Sequence, residues 1–282
     1  MREFLEILKV LLLGFVEGIT EWLPVSSTGH MILLDEFLQL NVSDEFKEMF
    51  FVVIQLGAIL AVPVLFWKKL FPFSQSSTQE ERKSILSLWL KVLVGVLPAA
   101  VLGFIFDDLL EEHLYNFVVV AMALIVYGVA FILIEKNDRE CRIDSVYDIS
   151  YKDALIIGSY QVLSLIPGTS RSGSTILGGM LTGVSRTASA EFSFFLAIPV
   201  MLGASGLKIF KLVLEGYTVT PLEILLLLIG VAVSFAVSMM TIRFLVDFVK
   251  KHDFKSFGIY RIILGIIVVV YFLIKSFANL PN

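Results

Sequence analysis

The sequence predicts an all-α, polytopic membrane protein built as two inverted-topology repeats, each a re-entrant helical hairpin followed by three transmembrane helices. Three observations predict it. Apolar residues make up 57% of the 282 positions, charged residues only 17%, and the mean hydropathy is +0.87. An ordinary soluble domain carries about 25% charged residues, so this much apolar surface needs lipid to cover it. The apolar residues collect in ten segments, and Lys and Arg concentrate in alternate loops between them.

In chain order the segments are 4–23, 25–40, 47–67, 85–106, 114–135, 153–166, 172–184, 191–213, 221–246 and 259–278. A helix crossing a hydrocarbon core of about 30 Å needs about 20 residues. The segments 47–67, 85–106, 114–135, 191–213, 221–246 and 259–278 meet that length. The other four form two adjacent pairs, split by Pro24 and by Pro167-Gly168. Short apolar helices broken in this way predict hairpins that enter the membrane and return. Non-helical backbone at that depth persists only where it is buried in protein or lines a wet cavity.

Loops 68–84, 136–152 and 247–258 carry Lys68, Lys69, Arg82, Lys83, Lys136, Arg139, Arg142, Lys152, Lys250, Lys251 and Lys255, whereas 107–113 and 214–220 carry no Lys or Arg. The positive-inside rule places the first three in the cytoplasm and the last two outside. Six spans with that alternation put loop 41–46 and both termini outside. The first broken pair then enters from outside and the second from inside. Shifting the sequence by 144 lays Gly14 on Gly158, Ser26 on Ser170, Gly29 on Gly173, Ile32 on Ile176 and Glu17 on Gln161. The repeats are therefore 1–140, with its hairpin over 4–40, and 150–282, with its hairpin over 153–184. They form one integral membrane domain. An odd number of crossings inverts the second repeat, and in such architectures the site lies where the broken helices meet.

Composition also excludes. The net charge of −4 gives no basic face for nucleic acid. A single cysteine, Cys141, permits neither an internal disulfide nor a thiolate zinc site. The stretch 4–23 carries Glu6, Glu17 and Glu21 and lacks a small-residue cleavage site, so it does not read as a cleavable signal peptide.

Two polar clusters interrupt the apolar sequence. The first runs Glu17-Gly-Ile-Thr-Glu21-Trp-Leu-Pro24-Val-Ser26-Ser27-Thr28-Gly29-His30. Glu17 and Glu21 are four apart and share a helical face. Two carboxylates in an apolar helix are costly unless they meet a cation, a metal or each other's proton. Past Pro24, the hydroxyls of Ser26, Ser27 and Thr28 sit where a new helix starts, and its free N–H groups suit an anion. His30, three residues after Ser27, falls within reach of the Ser27 hydroxyl if that turn is helical. A lone Ser at a helix start is ordinary and a lone Glu can snorkel; two Glu, the three hydroxyls past Pro24 and a His within fourteen positions are not ordinary. The second cluster is Pro167-Gly168-Thr169-Ser170-Arg171-Ser172-Gly173-Ser174. A solvated loop with one cation is the plain alternative, but the flanks Leu163–Ile166 and Ile176–Leu181 are apolar. Arg171 cannot shed its charge there and needs an anion, either Glu17 or Glu21 of the other hairpin or a phosphate.

Lesser features carry expectations too. Gln55 is a lone polar group in a span, a helix contact or a support for the site. Gly14/Gly18 and Gly179/Gly183 have a spacing that permits close helix packing. Asp107, Asp108, Glu111, Glu112 and His113 read as a solvated outer loop, His252 as an ordinary loop residue, and Glu191 with Arg186 as a structural ion pair.

Both clusters resemble the two signature motifs of the undecaprenyl-diphosphate phosphatase family, the bacitracin-resistance proteins. The resemblance extends to Val-Ile-Gln55-Leu-Gly, to Gly-Gly-Met-Leu-Thr-Gly-Val-Ser-Arg186 and to Glu191-Phe-Ser-Phe, and so covers essentially the whole chain. It implies hydrolysis of a polyprenyl diphosphate to the monophosphate carrier lipid used in cell-wall (peptidoglycan) synthesis, with bacitracin resistance. It further implies a multi-pass protein of the bacterial plasma membrane with its site facing the periplasm or outside. It maps the acidic pair, with its divalent cation (Mg²⁺ or Ca²⁺), to Glu17 and Glu21. The hydroxyl nucleophile maps to Ser27, the histidine to His30 and the phosphate clamp to Arg171. Thr169, Ser170 and Ser172, with Ser26 and Thr28, would then bind phosphate, and Glu21 or His30 would take the Ser27 proton. Alternatively, Glu21 activates a water and Ser27 only binds. The partners are the lipid and the bilayer, and a homodimer is allowed. The competing class is a transporter or flippase for a lipid phosphate or small anion, since inverted repeats with broken helices are a transporter feature. Every one of these readings needs Ser27 and Arg171 within the span of one diphosphate.

Overall fold

A computed structural model describes residues 2–74, 78–114, 116–136 and 141–277. Arg139 lies outside the described residues, as do the side chains of Asp107, Asp108, Glu111 and Glu112. Among the described residues every regular element is helical, and the single β-bridge joins Ile143 and Val184.

Helix α1 (Arg2–Thr20) keeps helical bonding slightly past its end, with the Glu21 N–H on the Glu17 carbonyl at 3.0 Å. Pro24, which has no N–H to continue the ladder, stops it. Ser26 then caps α2 (Ser27–Leu38). Helix α3 (Asp44–Leu65) starts on Ser43, whose hydroxyl accepts from the Phe46 N–H, and a short α4 (Trp67–Leu70) follows. Helices α5 (Gln79–Leu114) and α6 (Phe117–Lys136) complete the first half. The stretch 107–113, expected as a loop, is the last part of α5, because no Gly or Pro stops the helix between Gly103 and Leu114.

Helix α7 (Tyr151–Gln161) opens with a reciprocal Ser150–Asp153 capping box and tightens into a 3₁₀ turn, Val162–Leu165, before Pro167. Ser170 caps α8 (Arg171–Leu181), which ends on Gly183 at φ 84°. Helices α9 (Arg186–Leu214), α10 (Pro221–Val249) and α11 (Lys255–Phe277) follow, and α10 begins with Pro at its first turn and a Thr220–Glu223 box. Helices α3, α5, α6, α9, α10 and α11 are the six long and apolar enough to cross a membrane. They are the six spans the sequence predicts, and the chain is a multi-pass membrane protein. Large apolar side chains such as Phe104, Phe210, Leu228 and Met240 face outward from them, as lipid contact requires.

Helix α1 packs on α10 and α7 packs on α5, while α3 meets α9 and α6 meets α11. The closest approaches are at glycines. A Cβ on Gly158 would stand 1.9 Å from the Gly95 carbonyl oxygen, and one on Gly14 would stand 2.9 Å from that of Gly230. Gly14 and Gly18 both face α10, as their spacing suggests. Gly179 lies against Ser189, but Gly183 serves a turn at positive φ instead.

Polar contacts sort the loops into two ends. At one, Tyr147 Oη donates to the Lys69 carbonyl (3.2 Å), Lys69 pairs with Glu191 (2.6 Å), and Glu135 takes both Arg186 and the Phe254 N–H. The sequence predicts a Glu191–Arg186 pair; the structure gives Glu191 the ammonium of Lys69 on α4 and gives Arg186 the carboxylate of Glu135 on α6. At the other end, Ser43 and Tyr217 share a hydrogen bond (2.8 Å), and Lys208 pairs with Glu48. The three Lys/Arg-rich loops thus share one end, and loops 41–46 and 214–220 share the other. Both ends of the α1–α2 unit lie together, because Glu6 accepts from the Asn41 N–H at 3.0 Å. Both ends of α7–α8 lie together as well, because Arg142 reaches Asp153 (2.9 Å) and the Thr182 carbonyl (2.7 Å).

Candidate active site

The two breaks in the helical pattern meet on one carboxylate. Glu21, just past α1, accepts from the Ser27 hydroxyl through Oε2 at 2.7 Å and from Arg171 Nη2 through Oε1 at 3.0 Å. Ser27 opens α2 and Arg171 opens α8, so residues 144 apart in sequence hold opposite oxygens of the same group. Glu21 and Ser27 are buried, and the Arg171 side chain is 10% exposed. Burial away from water makes these charge-assisted bonds stronger, and makes any loss of a partner costly.

The local backbone explains how each side chain is delivered. Ser26 has φ 74° and Ser170 φ 73°, values that a residue with a Cβ adopts at a cost. Each hydroxyl then accepts from the N–H three residues on, Gly29 at 3.2 Å and Gly173 at 3.1 Å. The same strained cap therefore stands at the start of α2 and of α8. Both helices point their N-terminal N–H groups at the meeting place, where the macrodipole favours an anion. The hydroxyls of Ser26 and Ser170 thus act on the backbone. Ser172 bonds the Glu21 carbonyl (3.1 Å), tying the second tip to the first. Thr169 is buried in the second break, and Thr28 is half-buried on the first turn of α2.

Arg171 is held from behind. Its Nη1 donates to the Ser193 carbonyl at 2.8 Å, its guanidinium lies 5.8 Å from the Trp22 ring centroid, and its Nε has no partner among the described residues. Thr175 bonds both the Arg171 carbonyl (2.9 Å) and the Ser193 hydroxyl (2.7 Å). His30 does not reach Ser27. Its Nδ1 meets the Ser26 carbonyl and its Nε2 the Tyr260 hydroxyl, both at 2.7 Å. A carbonyl can only accept, so Nδ1 carries a proton, and in the neutral imidazole Nε2 then accepts from Tyr260.

Glu17 sits one helical turn before Glu21 and is fully buried, and neither of its carboxylate oxygens has a hydrogen-bond partner among the described residues. A buried carboxylate with both oxygens unpaired fits a hard divalent cation. No set of three His, Cys, Asp or Glu side chains gathers among the described residues. Glu17 and Glu21 are the carboxylates at this place that could hold such an ion, and both oxygens of Glu21 are already engaged by Ser27 and Arg171.

Sequence reasoning passed over Arg261 and Tyr260 of α11, Ser193 of α9 and Thr175 of α8. Arg261 left a readable signal, an Arg within the apolar run 257–273. Ser193 acts through a backbone carbonyl, which no side-chain motif encodes. Gln55 is half-buried on α3.

Comparison with known proteins identifies the family. The family model described as bacitracin resistance protein BacA matches residues 10–267. A protein of Enterococcus faecalis named undecaprenyl-diphosphatase is 59% identical over 95% of this chain and 98% of its own. One of Acetivibrio thermocellus with the same name is 56% identical over 95% of this chain and 98% of its own. An undecaprenyl-diphosphatase 1 of Clostridioides difficile is 54% identical over 95% and 97%. With its two helix breaks joined on Glu21 and a match that spans nearly the whole sequence, the chain belongs to the bacitracin resistance protein BacA family.

Proposed function

We propose that this chain is a membrane phosphatase that hydrolyses undecaprenyl diphosphate to undecaprenyl phosphate and inorganic phosphate. That reaction recycles the carrier lipid for peptidoglycan synthesis and gives bacitracin resistance. The observation that carries the reading is the shared Glu21 carboxylate, with a nucleophile-type hydroxyl on one oxygen and a phosphate-type cation on the other.

Both breaks belong to re-entrant hairpins, one in each of two inverted repeats. Support comes from the contacts that close each hairpin at a single end and from the exchange of α1–α10 for α7–α5 packing between the halves. The matched φ angles of Ser26 and Ser170 support it further. The Lys/Arg bias of one end supports an entrance to the first hairpin and the site from the outer face.

The polyprenyl tail stays in lipid while the diphosphate enters between the two tips. Its charge exceeds that of a carboxylate and competes for the Arg171 fork, which moves from Glu21 Oε1 to the terminal phosphoryl oxygens. The N–H groups that open α2 and α8 face the same oxygens, and this fixed array stabilises charge in the transition state. Ser27 Oγ attacks the terminal phosphorus. The bond from phosphorus to the bridging oxygen breaks, and undecaprenyl phosphate leaves with the electron pair. The Ser27 proton passes to Glu21 Oε2, its hydrogen-bond partner; His30, engaged with Ser26 and Tyr260, instead orients the first turn of α2. Water then attacks the phosphoserine, Glu21 returns the proton to Ser27 Oγ, and phosphate is released. Glu17 and Glu21 would hold a Mg²⁺ or Ca²⁺, which supplies charge neutralisation and orientation of the phosphates when bound.

The test is phosphate release from undecaprenyl diphosphate by purified protein in detergent, where transport between compartments has no meaning. Release at enzymatic rates is the expected outcome. Flux in sealed vesicles with no phosphate release would favour the transporter class instead.

A further inference from the structure

Arg261 is a buried charge that the mechanism above does not use. It lies on α11, is 0% exposed, and pairs with no carboxylate among the described residues. Its guanidinium instead collects backbone carbonyls. Nη1 donates to Pro24 O at 3.1 Å. Nη2 lies within reach of Gly168 O (2.8 Å), Thr169 O (2.9 Å) and Ala123 O (3.4 Å). The face of Tyr127 stands 5.5 Å away. Pro24 is the break of the first hairpin, and Gly168 and Thr169 are the break of the second. One side chain therefore holds both.

The placement answers a physical problem. A break frees carbonyls that have no helical partner, and in a membrane interior each unsatisfied one is costly. Ordered water could serve them, but a water molecule can exchange and fixes no angle between the carbonyls it joins. A guanidinium does the same with five rigid N–H donors, and its planar fork fixes the angle between the carbonyls it joins. The carbonyls it takes come just before the N-terminal turns of α2 and α8, three positions ahead of Ser27 and of Arg171 in the case of Pro24 and Gly168. Turning either break would swing the side chain that follows it.

We propose that Arg261 is a positioning residue: by clamping the carbonyls of Pro24, Gly168 and Thr169, it sets the separation and angle between the two helix N-termini, and so the register of Ser27 against Arg171. It touches neither substrate nor reacting atoms. A misplacement of about 1 Å at a site of this kind costs about a hundredfold in rate. The clamp therefore acts on kcat, because both tips still carry their charges and the diphosphate still binds.

This inference rests on the phosphatase reading, and the experiment separates the two. Purified wild type, Arg261→Lys and Arg261→Gln are compared in detergent for kcat and KM with polyprenyl diphosphate. Folded protein is measured in each by thermal unfolding and size-exclusion profile, and rates are given per folded molecule. The clamp predicts a kcat lower by about a hundredfold in both variants, with KM within about threefold of wild type. Lys fares no better than Gln in kcat, since one ammonium cannot span both breaks. A parallel set with Arg261→Ala in added guanidinium should recover part of kcat, which general destabilisation would not give. Near-normal kcat in either Lys or Gln variant, or a loss carried wholly by KM, overturns the clamp. Failure of every Arg261 variant to fold would assign the residue to assembly of the fold and overturn it as well. Wild type that releases no phosphate overturns the phosphatase reading itself.

Discussion

Ser27, Glu21 and Arg171 form a chain of hydrogen bonds in which each member has a different job, so their substitutions should fail differently. Ser27→Ala removes the attacking oxygen and should lower kcat at least about a thousandfold. A phosphoserine at position 27, trapped by acid quench and mass spectrometry in wild type, is the matching positive result; an alanine enzyme with most of its activity would leave Glu21 and water as the nucleophilic system. Arg171→Lys keeps the charge but loses the fork that now spans Glu21 Oε1 and the Ser193 carbonyl. It should cost about a hundredfold in kcat, the scale set by loss of one preorganised donor. Glu17, with two buried oxygens and no partner among the described residues, is the candidate cation ligand. Chelation should abolish turnover and Mg²⁺ or Ca²⁺ restore it, and Glu17→Gln should raise the ion concentration for half-maximal activity by about tenfold or more. Equal ion dependence in wild type and Glu17→Gln would remove Glu17 from that role.

Among the elements, the broken helices depend on close backbone contact with α10 and α5. Gly158→Ala places a methyl 1.9 Å from the Gly95 carbonyl oxygen, where only backbone can yield. Overpacking of this kind costs about 1–3 kcal/mol, so thermal unfolding in detergent should shift down by several degrees. An unchanged midpoint would mean that α7 sits farther from α5 than described. Much of this level was legible in the sequence. Span length and apolar content gave the six crossing helices, and Pro24 and Pro167-Gly168 marked the breaks to within a residue or two. The echo at an offset of 144 singled out Ser26 and Ser170, whose matched strained caps it could not foresee. Other features were hidden for physical reasons. Backbone carbonyls do the work at Ser193, Pro24, Gly168 and Thr169, and a carbonyl has no side-chain signature. His30 was placed beside Ser27 by sequence distance, yet a helical turn carries it back to the Ser26 carbonyl and across to Tyr260.

For the molecule as a whole, the account requires one sidedness: Lys/Arg-rich loops inside, the mouth of the first hairpin outside. The native Cys141 is exposed in the basic loop and reports on it directly. A membrane-impermeant maleimide should leave Cys141 unlabelled in intact cells and label it after permeabilisation. In a Cys141→Ser background, Asn41→Cys should show the reverse, labelling from outside; labels on the same side at both positions would contradict the topology. Sidedness, hairpins and chemistry all rest on two half-helices bringing Ser27 and Arg171 to one phosphoryl group inside the lipid slab. The most direct test is an experimental structure of the purified protein with orthovanadate, a mimic of the transferring phosphoryl group. The account predicts vanadium bonded to Ser27 Oγ, with the Arg171 guanidinium on its equatorial oxygens. Vanadate bound elsewhere, or Ser27 and Arg171 held too far apart to touch the same anion, would contradict it.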